Sequence, residues 1–213
     1  MYQSFSENNG IANLKNDDLQ IYSIGISTGG IAEMRMAELN PQRIVIATTL
    51  DAKGADFARE QIEAKGLSKQ VIVKIEDVSK PLPYEDCSFD FIYARLVLHY
   101  LPKIELLQAL DELHRVLKKN GKIFIVVRSL KCYEATFENA IHDPITGLTT
   151  YTSNDGSSYS RFFHSENSIQ EYLKSMGFTI QHVNSYEEQL CIDFQRTQLS
   201  PYIDPLIEVV SLK

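Results

Sequence analysis

Residues 75–101 read IEDVSKPLPYEDCSFDFIYARLVLHYL, and the fold turns on this stretch. An apolar run ending at Ile75 meets the acidic pair Glu76 and Asp77. Leu82 and Pro83 lead through a polar turn to Phe89 and Asp90, which open a second apolar run. That run stops at Ala94 and Arg95 and gives way to an amphipathic stretch carrying His99. Short runs rich in β-branched and aromatic residues between turn residues read as strands. The block is therefore strand, loop, strand, loop and the start of a helix. Open parallel sheets bind ligands outside the carboxyl ends of their strands. Asp77, Ala94 and Arg95 thus fall at a sheet edge suited to a site.

The same rhythm runs in both directions. Upstream, strands are predicted over residues 19–24, 43–49 and 71–75, with helices over 31–39 and 56–65 between them. Downstream, Leu106, Leu107, Leu110, Leu113 and Leu117 repeat at helical spacing within 103–117. Asn120 and Gly121 end that helix, and KIFIVV over 122–127 is a fifth strand. Such alternation predicts a parallel, doubly wound sheet. After Arg128 the pattern changes. Residues 129–164 are rich in Thr, Ser and Asn, and their aromatics, among them Tyr133, Phe137 and Phe163, favour an ordered cap. Ser165, with Ser168 as the alternative, caps a helix to Met176. Strands over 178–186 and 206–212 have no helix between them and predict an antiparallel edge. Residues 1–18 are polar and read as a loose arm, so one domain is expected over 1–213.

The chain has 213 residues and a formal net charge of −7. Nucleic-acid backbones and anionic membranes reward positive surface, so neither is the expected main partner. No apolar run reaches membrane-spanning length, and the polar start MYQSFSENNG does not read as a secretory signal. Cys87, Cys132 and Cys191 are too far apart in sequence for a zinc motif, and no metal is expected. They read as reduced thiols of a cytoplasmic protein.

One more segment bears on function. Residues 21–30 read IYSIGISTGG, a glycine-bearing turn between a strand and a helix. Together with Asp77, Leu82-Pro83 and Phe89-Asp90, this turn resembles the class I methyltransferases that use S-adenosylmethionine, of the methyltransferase type 11 kind. The resemblance covers residues 19–127 in motif and the whole chain in architecture. It implies an α/β fold with a mostly parallel, Rossmann-like seven-stranded sheet, an antiparallel edge and a cap insertion. Gly25 and Gly29 match the outer glycines of the family's turn. Ser27 replaces the middle glycine, and Ser23 stands where the family usually has an acid.

The resemblance also implies roles. Gly25, Ser27, Thr28 and Gly29 would face the amino-acid end of the cofactor, where glycine lets the backbone approach closely. An acid after the second strand would take both ribose hydroxyls, since a carboxylate is a bidentate acceptor. The ungapped match for it is Thr49, and Asp51 lies two residues on. Asp77 would receive the adenine amino group, with Val78 supplying a backbone amide; as a plain turn cap it would need no ligand. Ala94 and Arg95 would flank the cleft. The implied activity is transfer of a methyl group from S-adenosylmethionine to a small-molecule acceptor, leaving S-adenosylhomocysteine.

Methyl transfer depends mainly on geometry, and a base helps only when the acceptor must lose a proton. His99 is the candidate base, with packing against Tyr100 as the alternative. Arg128, His142, Tyr151, Arg161 and His164, in or beside the cap, are the candidate acceptor contacts. Two rival readings remain. Ser23, Ser27 and Thr49 would also suit a domain that has lost the cofactor and acts as a binding module. Gly25 to Gly29 spells G-x-S-x-G, the nucleophile elbow of serine hydrolases, with Ser27 as nucleophile and an acid such as Asp155.

Overall fold

The computed structural model describes residues 4–26, 28–153, 156–191 and 196–213, with Thr28 described in its backbone alone. Helix α1 (Phe5–Ala12) precedes strand β1 (Gln20–Ile24). Then follow α2 (Ile31–Glu38), β2 (Ile44–Thr49), α3 (Ala52–Ala64), β3 (Val71–Ile75) and β4 (Phe89–Arg95). The second half holds α4 (Lys103–Val116), β5 (Leu117–Arg128), β6 (Ile141–His142), β7 (Thr149–Thr152) and β8 (Ser158–Arg161). It ends with α5 (Glu166–Ser175), β9 (Thr179–Glu188) and β10 (Asp204–Leu212).

Seven strands form one sheet in the order β3-β2-β1-β4-β5-β10-β9. β1 to β5 run parallel, while β10 is antiparallel to both β5 and β9. The sheet has the expected architecture. Side chains alternate across a strand, so each central strand feeds two cores. Tyr22, Ile24, Ile92 and Ile125 pack on one face against Leu106, Leu110 and Leu113 of α4 and Leu173 of α5. Ile21, Phe91, Tyr93 and Phe124 pack on the other, with Ala32 and Met36 of α2 and Ala58 and Ile62 of α3. Burial on both faces is why the parallel strands are continuous apolar runs.

Three local features differ from the sequence reading. The loose arm expected over 1–18 contains α1. Ser4 caps it by accepting the Glu7 amide at 3.2 Å. Its buried positions are Ser6, Glu7 and Gly10, so the helix packs without an apolar stripe. β5 begins directly after α4 and bulges opposite β4, with Asn120 at φ 61°, a conformation Asn tolerates. The cap holds a separate antiparallel sheet in the order β6-β7-β8, packed around Cys132, Tyr151 and Phe163. Ser165 caps α5 and Ser168 returns the hydrogen bond, so the two serines act as a capping box.

Gly10 lies over the stacked rings of Tyr93 and Phe124, whose centroids are 5.6 Å apart. A Cβ there would sit 2.4 Å from Tyr93 Cε2 and 2.8 Å from Phe124 Cε1. Alanine gains about 1 kcal/mol of helix propensity over glycine, but overpacking costs about 1–3 kcal/mol. Gly10→Ala is therefore expected to lower the melting temperature; an unchanged or raised value in a thermal melt would contradict the close packing of α1.

Candidate functional site

Two cavities meet at the carboxyl ends of the central strands. The first, of 530 Å³, is lined by Ile24, Gly25 and Ile26 at the end of β1, Thr48 to Asp51 at the end of β2, and Glu76 to Val78 after β3. Leu96, Val97, Tyr100 and Leu101, which follow β4, close it. Gly25 has φ 70°, and a Cβ on it would meet Val97 Cγ2 at 2.7 Å. The turn there is tight because the next amide, Ile26 N, donates to Thr48 O at 2.8 Å. Gly29 and Gly30 are also left-handed, at φ 62° and 76°, and turn the chain into α2.

The acids of this cavity are held in place. Asp51 caps α3, accepting the Lys53 amide at 3.0 Å, while its own N–H donates to Thr49 Oγ1 at 3.1 Å. Asp77 Oδ1 accepts the Ser79 amide at 2.9 Å, and no other hydrogen bond reaches that carboxylate among the described residues. Glu76 accepts the hydroxyls of Tyr22 and, at 3.0 Å, of Tyr84. Burial and then Glu76 push the Tyr22 hydroxyl upward in pKa, so the tyrosine stays the donor. Glu76 was not singled out from the sequence. Its place beside Asp77 at a strand end was the available signal.

The second cavity, of 320 Å³, shares Gly25, Ile26, Leu96 and Tyr100 with the first. Leu96 sits at φ 57°, a strained conformation for a leucine, at that junction. The chamber beyond is lined by Ser4, Arg95, His99, Arg128, Arg196 and Asp204, with Leu190 and Cys191 on its wall. Arg95 donates to Ser6 Oγ at 2.6 Å and Ser4 Oγ at 2.8 Å, and lies 3.8 Å from Glu188. Glu7, fully buried, pairs with Arg35 at 2.7 Å and with Arg196. Burial raises the Glu7 carboxyl, but Arg196 and Arg35 outweigh it and hold the pKa below the usual range. Ser4, Arg196 and Asp204 come from distant segments, and nothing in the local sequence marks them.

His99 is 1% exposed, and its Nδ1 has no hydrogen-bond partner. Burial first, then Arg128, Arg161 and His164, holds its pKa well below the ordinary histidine value. Its ring lies 4.6 Å from that of Tyr100. Asp204 pairs with Arg128 at 2.7 Å, and Arg128 pairs equally with Glu134. Burial nonetheless pushes Asp204 up to about 6. Cys132, Glu134 and Asp204 bring metal-type ligand atoms within 4.8 Å of one another. The Arg128 guanidinium already binds both carboxylates there. The Cys132 thiol donates to Pro205 O at 3.2 Å, and burial pushes its pKa up to about 12.

The residues expected from the sequence divide accordingly. Gly25, Thr49, Asp51, Asp77 and Val78 converge on the first cavity; Arg95, His99 and Arg128 line the second. Ala94 is buried in the sheet core beside them. Gly29 packs under Phe57 at the start of α2. Arg161 stands behind Tyr100, its guanidinium 4.4 Å from the ring centroid. His164 is fully buried, stacked on Phe162 at 4.4 Å, and burial lowers its pKa to about 3. Tyr151 packs in the cap core, and His142 lies on the exposed cap strand β6, its Nδ1 3.3 Å from Thr149 Oγ1. Neither lines the two cavities. Ser27 and Asp155 lie outside the described residues.

The acid missing at Ser23 has a counterpart on α2. Ser23 Oγ donates to Glu33 Oε1 at 2.6 Å, and Glu33 is 0% exposed. A buried carboxylate thus stands one hydrogen bond behind the strand end.

Comparison with known proteins agrees with this geometry. Residues 22–125 match the family model described as a methyltransferase domain. A demethylmenaquinone methyltransferase of Lactobacillus johnsonii is 32% identical over 102 residues, 48% of this chain and 41% of that protein. A sterol 4-C-methyltransferase of Caenorhabditis elegans is 28% identical over 126 residues, 59% of this chain and 36% of that protein. The chain thus spans about two fifths of the length of these relatives. Among solved structures, an S-adenosylmethionine-dependent methyltransferase of Methanosarcina mazei superposes with a TM-score of 0.77 at 20% identity, over 100% of this chain and 99% of that one. At that identity the likeness speaks for the fold, and the domain match speaks for residues 22–125, just under half of the chain. By sheet order and matched domain, residues 22–125 carry a methyltransferase domain, and the chain has the fold of the S-adenosylmethionine-dependent methyltransferases.

Proposed function

We propose that this chain transfers a methyl group from S-adenosylmethionine to a small-molecule acceptor. One observation carries the reading: a cavity along the ends of β1, β2 and β3 opens, at Gly25, Ile26, Leu96 and Tyr100, into a second chamber. That arrangement suits a cofactor in the first cavity and an acceptor in the second. The missing Cβ of Gly25 leaves the space that close backbone approach requires. When bound, the cofactor supplies an electrophilic methyl group on a sulfonium. The protein's part is placement. Asp77 and Val78 hold the adenine end, Thr49 and Asp51 the ribose, and Gly25 and Ile26 the amino-acid end. Arg95 and Arg128 form the chamber wall.

Calorimetry and thermal shift with S-adenosylmethionine and S-adenosylhomocysteine test this. Ligand at a hundred times its Kd should stabilise the fold by about 2.7 kcal/mol. No shift with either compound would favour a binding module without the cofactor. Asp77→Ala should weaken S-adenosylhomocysteine binding about tenfold to a hundredfold, since a site acceptor is lost. Asp77→Asn keeps an acceptor for the Ser79 amide and should show much of the same loss. Wild-type affinity in both variants would remove Asp77 from the site.

Glu33 lines neither cavity, and its proposed role is indirect: from one hydrogen bond behind β1, through Ser23, its charge would favour the ammonium of the amino-acid end. Glu33→Gln should weaken S-adenosylhomocysteine severalfold while leaving 5′-methylthioadenosine, which lacks the ammonium group, unaffected. Equal effects on both ligands would make Glu33 a packing residue.

A further inference from the structure

Three arginines and one acid line the second chamber, more basic side chains than methyl transfer alone requires. We infer that the chamber binds its acceptor as an oxyanion, a phenolate, enolate or carboxylate on a compact apolar body, held at His99 in the field of Arg128 and Arg161. This rests on the proposed function, because it concerns the second substrate of that site.

The geometry is specific. His99 is 1% exposed and lines the chamber, with Nδ1 sealed and unpartnered. Arg128, at the end of β5, lines the same chamber, and Arg161 ends β8. Arg161 makes no ion pair with a carboxylate among the described residues. Its guanidinium stacks over Tyr100 at 4.4 Å and Tyr159 at 5.4 Å, and its buried Nε has no partner. Tyr100 lines both cavities, so the Arg161 charge stands one ring behind their junction. Asp204 is the one acidic side chain among the described lining residues; Arg128 binds it and Glu134, each at 2.7 Å, while Glu188 and Glu7 face Arg95 and Arg196 from behind the wall, which leaves Arg161 as the arginine nearby without such a partner among the described residues.

A protonated His99 would add a third cation beside two guanidinium groups. Burial and those arginines oppose it, so the imidazole is a poor resting place for the acceptor's proton. The same field favours the opposite charge. For an acidic hydroxyl the O–H bond breaks before transfer, the electron pair stays on oxygen and the proton leaves to bulk water. His99 then offers a hydrogen-bonding ring to that oxygen.

The test uses the full chain saturated with S-adenosylhomocysteine and three small probes: 4-nitrophenol, 4-nitrobenzoate and 4-nitrobenzyl alcohol. The first two are read as anions, above their own ionisation, while the alcohol keeps a hydroxyl donor without charge. At least one anion should bind tenfold or more tightly than the alcohol, and the tighter of the two identifies the type of oxyanion. Arg161→Gln should cut that preference severalfold, and Arg161→Lys should restore part of it. Equal binding of all three, no binding of any, or a preference untouched by Arg161→Gln would overturn the inference. S-adenosylhomocysteine affinity is measured separately for every protein. Failure there, with anion preference intact, would overturn the methyl-transfer reading and leave the oxyanion subsite standing.

Discussion

Gly25→Ala is expected to reduce S-adenosylhomocysteine affinity by about a hundredfold, from two costs that add at one atom. The residue has φ 70°, where an L side chain costs about 1–2 kcal/mol. Its Cβ would also fall 2.7 Å from Val97 Cγ2 and 2.8 Å from Val97 Cβ, an overpacking worth about 1–3 kcal/mol. Neither atom can yield cheaply. Gly25 is fixed by β1 and by the following amide, which donates to Thr48 O at 2.8 Å. Val97 follows Leu96, itself held left-handed with its N–H bonded to Val126 O at 2.8 Å. A Val97 displaced by the new methyl shifts the wall of the proposed cofactor cavity, so binding suffers together with stability. Calorimetry and a thermal melt on the same sample separate the two. A folded variant with affinity within threefold of wild type would mean that the turn at Gly25 does not shape the cofactor site.

The parts of this molecule that were legible in sequence are those whose physics is local. β1, β4 and β5 are buried on both faces, so they appear as unbroken apolar runs whatever lies elsewhere. Asp77, Thr49 and Asp51 follow strand ends, and a parallel sheet brings strand ends together. α1 was invisible because its buried face is Ser6, Glu7 and Gly10. A charge buried against arginines 28 and 189 positions away looks in sequence like a solvated charge. The cap strands β6, β7 and β8 are two to four residues long, too short for alternation to stand out. Tyr151 and His142 illustrate the limit of reading chemistry from residue type. Both are capable ligands, yet one packs in the cap core and the other lies on its rim. Asp204 and Arg196 are the converse, lining the chamber from segments with no motif at all.

Glu7→Ala should be the most destabilising single change outside the sheet core. The carboxylate is 0% exposed and meets Arg196, whose side chain is 4% exposed, and Arg35 at 2.7 Å. Removing one partner of a buried pair costs about 3–5 kcal/mol, because the remaining charge keeps its desolvation and loses its counter-charge. For a chain of this length that corresponds to a fall of roughly 6–20 °C in melting temperature. The pH dependence identifies the mechanism. Glu7 has its folded pKa depressed below the unfolded value of 4.5, so its contribution is complete above that value. It is lost as the pH falls from there through the folded pKa. The gap in unfolding free energy between wild type and Glu7→Gln, which keeps the shape without the charge, should therefore narrow as the pH falls from neutral to below 4.5. Denaturant titrations at several pH values measure that gap. A constant gap would assign the loss to packing. A narrowing one would show that α1 is held over the chamber by charge, through the same Arg196 that lines its wall.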